Sequence, residues 1–213
     1  MSLNFSLKYI LLILTSVIFI FISISGVLFS LLKLDLIYEY NLNNYPIEER
    51  TSLPIEKLKK VNFQIKDYFF NEDELLNVEI FNNKEILHMK DVKEIIKNIF
   101  LLGKISSLIL VLLIYICIIK YKVKLHTIFK FSSLTYLFLS IIVLFSFLVS
   151  FNQVFIIFHE IAFSNDLWIL NINEDYLLMM FPESFFRDVT IFILLGSFIV
   201  NIAAFFISRN LIK

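Results

Sequence analysis

The sequence predicts an all-α membrane protein: four transmembrane helices, with a small extracellular cap of short helices and a possible hairpin. Three observations predict this class. Hydrophobic residues make up 59% of the 213-residue chain, against roughly 45–50% in an ordinary soluble domain. They gather into four runs of about 20 residues, the length that crosses about 30 Å of hydrocarbon. The 19 acidic residues avoid three of the five segments that flank and separate those runs.

Taken in order, residues 1–32 form an N-terminal tail and the first span, Tyr9–Leu32. The apolar part of a signal peptide is about 7–15 residues. This run is longer and ends in no small-residue cleavage site, so it reads as an uncleaved anchor. Residues 33–98 form the extracellular cap. Ser52, Pro54 and Glu56 open a helix, in which Ile55, Leu58, Val61, Ile65 and Tyr68–Phe69 recur at helical spacing. VEIF (78–81), Asn82-Asn83 and ILHM (86–89) then read as a hairpin. Asp91-Val-Lys-Glu94 has the form of a capping box and predicts that the helix entering span two starts there.

Residues 99–151 hold span two (Ile99–Ile119), a cytoplasmic basic loop and span three (Phe131–Phe151). Lys104 lies near the outer end of span two, where a long side chain snorkels to the interface. Residues 152–188 form a second extracellular segment, with Asn173 as N-cap of a short helix ending near Pro182. Its Trp168, Tyr176, Phe181, Phe185 and Phe186 suit headgroup depth, either as an ordinary aromatic belt or as walls of a lipid pocket. Residues 189–213 complete the chain with span four (Val189–Ile207) and a cytoplasmic tail.

Charge sets the direction. Lys8, Lys120, Lys122, Lys124, Lys130, Arg209 and Lys213 flank the spans in segments that hold no acid. By the positive-inside rule those segments, and both termini, face the cytoplasm. All 19 acids fall in the other two connections, 13 in residues 33–98 and 6 in residues 159–188.

Composition also excludes chemistry. A net charge of zero suggests no nucleic-acid partner. The lone Cys117 offers no intramolecular disulfide or cysteine-based metal site. No zinc-protease, nucleophile-elbow or nucleotide-loop motif occurs, and spans nearly free of ionisable groups argue against an ion pathway. His126 lies in the basic loop. His88 and His159 lie on the outer side, His159 about eight residues, or roughly 12 Å of helix, beyond Phe151. Two histidines near the polar–apolar boundary suit an acid–base pair, although structural roles suit them as well.

Glu85-Ile-Leu-His88-Met89-Lys90-Asp91-Val92-Lys93, then Phe158-His159, Trp168, Asp175 and Pro182-Glu183-Ser184-Phe185-Phe186, resemble the bacterial lipoprotein intramolecular transacylases, as does the four-span layout. The resemblance implies transfer of the sn-2 acyl chain of a diacylglyceryl lipoprotein to the α-amine of its own N-terminal cysteine, giving the N-acyl lyso-form. It implies no cofactor and no metal, a plasma-membrane enzyme with its active site at the outer leaflet, and lipoprotein and membrane lipids as partners. A monomer is expected. It places the functional histidines at His88 and His159, with Glu85, Met89, Asp91, Phe158, Trp168 and Asp175 as substrate-binding or supporting residues. The alternative is a non-catalytic membrane accessory or sensor whose cap binds a partner.

Overall fold

The computed structural model describes residues 2–210, and all regular structure among them is helical. Four helices are long: α1 (Ser2–Lys33), α5 (Asn83–Ile119), α6 (Leu125–Ala162) and α8 (Glu183–Asn210). Four are short: α2 (Leu36–Asn44), α3 (Ile47–Thr51), α4 (Ile55–Tyr68) and α7 (Tyr176–Met180). Segments Ser6–Lys33, Asn83–Ile119, Leu125–Phe147 and Glu183–Asn210 are long and apolar enough to cross a membrane. At 37 residues, α5 measures about 55 Å, far more than about 30 Å of hydrocarbon needs. Its apolar part is 99–119, and the charged residues of 83–98 make up the surplus.

The chain divides into two units. The first comprises Met1–Leu28, Ile99–Leu148 and Ile191–Lys213; of the basic residues named above, Lys213 lies outside the described residues. Leu12, Cys117, Val123 and Ile128 form a buried cluster here. Helices approach closely where side chains are small: a Cβ on Gly196 would stand 2.9 Å from Val27 Cγ1. A polar clasp joins three helices. Asn201 of α8 donates to Ser23 Oγ of α1 (2.9 Å) and accepts from Ser132 Oγ of α6 (2.9 Å). Ser133 Oγ adds a bond to the Asn201 carbonyl (3.0 Å). The outward faces stay apolar, with Leu108, Val111, Phe138, Phe145 and Ile199 all more than 60% exposed. Exposed apolar side chains in that number suit contact with lipid.

The second unit comprises Phe29–Asn98 and Val149–Thr190. The predicted apolar face of α4 is buried at Leu58, Val61, Ile65 and Tyr68. Asn41 of α2 donates to the Met180 carbonyl of α7 (2.8 Å). Lys93 of α5 is buried yet satisfied, donating to Asn71 Oδ1 (3.0 Å) and the Asp73 carbonyl (2.7 Å) and lying over the Tyr68 ring.

Three expectations need correction. Among the described residues there is no hairpin, and the helix entering span two does not begin at Asp91. It begins at Asn83, because Asn82 closes a capping box with Glu85. The Asn82 side chain accepts the amides of Lys84 (2.9 Å) and Glu85 (3.1 Å), while Glu85 Oε2 accepts the Asn82 amide (2.7 Å). That reciprocal pair satisfies N-terminal donors, and ILHM becomes the first turns of a helix. Second, the short helix of the later segment starts at Tyr176 after Asp175, not after Asn173. Third, the helix does not run unbroken to the expected end of span three at Phe151, since α6 kinks at Ser150 (φ −169°, ψ 104°). Ser150 Oγ accepts the Gln153 amide (3.3 Å), so it caps the apolar helical arm that follows the kink and ends at Ala162.

Candidate active site

His88 and His159 both belong to the second unit, and the fold brings them together. His88 lies three residues after Glu85 in α5, so the capping box fixes the helical phase on which it projects. His159 lies on the arm of α6 that follows the Ser150 kink. Both are buried, with ring centroids 6.2 Å apart and planes inclined at 34°. Phe163 closes one side, with its centroid 5.0 Å from His88 and 5.5 Å from His159. Phe155 (4.3 Å), Trp168 (5.1 Å) and Phe158 (5.3 Å) surround the His159 ring. The pair therefore sits in an aromatic enclosure with little water.

Electrostatics follow from that setting. Burial, helped by the neighbouring His159, pushes His88 down to about 4. Burial also lowers His159, partly opposed by its bond to the Phe155 carbonyl. Both imidazoles are neutral at pH 7. The His159 Nδ1–Phe155 carbonyl contact is 2.7 Å; a carbonyl only accepts, so Nδ1 carries the proton and Nε2 keeps its lone pair. His88 Nδ1 is buried and has no hydrogen-bond partner among the described residues.

Glu85 and Asp175 accept from backbone amides and from the Asn82 side chain, not from imidazole. Buried Glu85 accepts the amides of Asn82 (2.7 Å) and Leu177 (2.6 Å), and burial raises its pKa against those two bonds. Buried Asp175 accepts the Asn171 amide (2.6 Å) and the Asn82 carboxamide (2.7 Å). Together they tie the start of α5 to the start of α7. Asp91 lies inside α5 and accepts from Asn165 (2.9 Å), while Lys84 Nζ donates to the Ile169 carbonyl. These two bonds bracket Trp168 and hold its loop against α5. Met89 is buried beside His88 in sequence. Phe155, Phe163, Asn82 and Lys84 were not expected at the site. Phe155 and Phe163 stand four residues either side of His159, the spacing at which helical neighbours meet, and that was the available signal. Among the described residues no group of three or more His, Cys, Asp or Glu side chains is placed to hold a metal.

The family model of the lipoprotein intramolecular transacylase Lit matches residues 9–186. No curated protein sequence matches at a significant level. Among solved structures, the membrane integral lipoprotein intramolecular transacylase Lit from Bacillus cereus is similar, with TM-score 0.83 at 21% identity, covering 98% of this chain and 97% of that one. Two variants of the Bacillus cereus protein, in which one histidine is replaced by arginine or by alanine, give TM-scores of 0.82 and 0.80. Identities are 19% and 21%; each covers 100% of this chain, and 95% and 98% of the other.

Proposed function

Since the chain belongs to the lipoprotein intramolecular transacylase family, we propose that it moves the sn-2 acyl chain of a diacylglyceryl lipoprotein to the α-amine of the same N-terminal cysteine, with His88 and His159 as the acid–base pair. The observation that carries this reading is the pair itself: two neutral imidazoles 6.2 Å apart, walled by Phe163, Phe155 and Trp168.

The chemistry assigns each ring a task. The α-amine, with a pKa of about 7.7–8.0, must be unprotonated to attack the ester carbonyl. A carbon–nitrogen bond forms and the bond from that carbon to the glycerol oxygen breaks. His159 Nε2, left unprotonated by the bond at Nδ1, accepts the proton the amine gives up. His88 donates a hydrogen bond to the carbonyl oxygen as charge develops, and the proton taken up by His159 passes to the departing glycerol oxygen. One proton leaves nitrogen and one reaches oxygen, so both rings end neutral, as they began. Amine and ester share one substrate, and such intramolecular placement is worth up to about 7–11 kcal/mol when well oriented. The aromatic walls hold acyl chain and keep out the water that would hydrolyse the ester. The charge asymmetry supports a site at the outer leaflet of a bacterial plasma membrane with both termini cytoplasmic, and a monomer suffices.

The test is expression in a bacterium that makes diacylglyceryl lipoproteins, with mass spectrometry of the N-terminal lipopeptide. Wild type gives the acyl shift; His88→Ala and His159→Ala each lower it by about 10²–10⁴-fold while the protein still accumulates. Full activity in the double variant overturns the mechanism. An inserted wild type without activity favours the accessory reading.

A further inference from the structure

The first unit holds a concavity that acyl transfer leaves unused. Lys124, His126, Thr127 and Lys130, at the start of α6, face Phe205 and Arg209, near the end of α8, around a cavity of about 450 Å³. The surroundings are one-signed. The eight Lys and Arg residues of 1–28, 99–148 and 191–213 share those segments with no Asp or Glu. Lys124, Lys130 and Arg209 are exposed, and no Asp or Glu lies in the segments of their unit to answer them. Scattered positive charges would satisfy the positive-inside rule equally well. Convergence on one concavity adds self-repulsion that a bound anion offsets.

The donor set selects the anion. An Arg fork binds phosphate oxygens in pairs and Lys adds point charges. The Thr127 hydroxyl and the His126 ring add further donors. We propose that this cavity binds the phosphate of an anionic phospholipid headgroup from the cytoplasmic leaflet. Free phosphate offers the same oxygens. The lipid is favoured because α6 and α8 are membrane-crossing helices and Phe205 gives the cavity an apolar wall that an inorganic ion does not need. Basic pockets between spans on the cytoplasmic side take phospholipid headgroups for this reason.

The full chain in detergent is titrated with phosphatidylglycerol, phosphatidylcholine or inorganic phosphate and read by native mass spectrometry. Phosphatidylglycerol adducts are expected on wild type and fall by at least about tenfold in Lys130→Ala/Arg209→Ala. They persist in Lys130→Arg/Arg209→Lys, and phosphatidylcholine does not compete. Lys124→Ala alone gives a smaller loss and serves if the double alanine variant does not accumulate. Unchanged adduct in the alanine variants overturns the site. Adducts of inorganic phosphate that phosphatidylglycerol fails to displace overturn the lipid. The readout needs no acyl transfer, so it stands or falls apart from the function proposed above.

Discussion

His88 is neutral because it is buried, and that makes the fold sensitive to acid. Its pKa is about 4 in the folded chain, against about 6.5 when exposed. Between those values the unfolded chain binds a proton that the folded chain refuses. Stability from this residue is complete above about pH 6.5 and falls as pH drops towards 4, by at most about 3 kcal/mol. Thermal unfolding in detergent at pH 7 and pH 5 should show a larger drop for wild type than for His88→Leu, which has no proton to bind; equal drops would refute the assignment. Glu85 is equally exacting. Its two oxygens accept two backbone amides, and a carboxamide would turn one acceptor into a donor facing a donor. Glu85→Gln should cost about 1–3 kcal/mol and lower the acyl shift, whereas exposed Glu79→Gln changes neither; a Gln variant as stable and active as wild type removes Glu85 from the positioning role. Both histidines stood out in the sequence because they are rare and lie among acids. Their aromatic enclosure did not, since 25 phenylalanines leave composition unable to single out Phe155 or Phe163.

Long helices were legible from length and apolarity alone, while their ends were set by side chains whose partners are remote or ambiguous. Asn82 illustrates the ambiguity. Asn-Asn between apolar runs signals a turn, yet Asn three residues before Glu also signals a capping box, and the second pattern prevails. It is reinforced by the bond from Asn82 to Asp175, 93 residues away in sequence, which no local reading contains. The Ser150 break is similar: an apolar run through Phe151 hides a Ser-x-x-Gln cap that turns the His159 arm into its own helix. Within the spans, Asn201 and its serine partners look like isolated polar residues until three helices meet on them. Hydrogen bonds between membrane helices average about 0.6 kcal/mol and reach about 1.7. Asn201 makes several at once, so Asn201→Ala should destabilise by about 1–2 kcal/mol, read as a lower unfolding temperature in detergent with the spans still inserted. An unshifted midpoint would mean that the clasp contributes no net stability.

At the scale of the whole molecule the charges are segregated: every acid falls in the unit that holds the histidine pair, and the other unit carries only bases. Bases near span ends resist translocation while acids contribute little to orientation, so this segregation selects one insertion. It predicts that residues 33–98 and 159–188 face outward, the side on which a lipoprotein presents its lipid-bearing N-terminus, and that the loop of Lys120–Lys130 faces inward. Single cysteines in a Cys117→Ser background make this measurable, because native Cys117 is buried and the probe positions Glu79, Lys124 and Asp166 are exposed. In intact cells a membrane-impermeant maleimide should label Glu79→Cys and Asp166→Cys, and should reach Lys124→Cys only after the membrane is opened. The opposite pattern would place the histidines on the cytoplasmic side, away from the substrate's acyl chains. Labelling at Lys124 in intact cells would therefore remove the proposed reaction and the phospholipid leaflet together, whereas the expected pattern leaves each to its own chemical test.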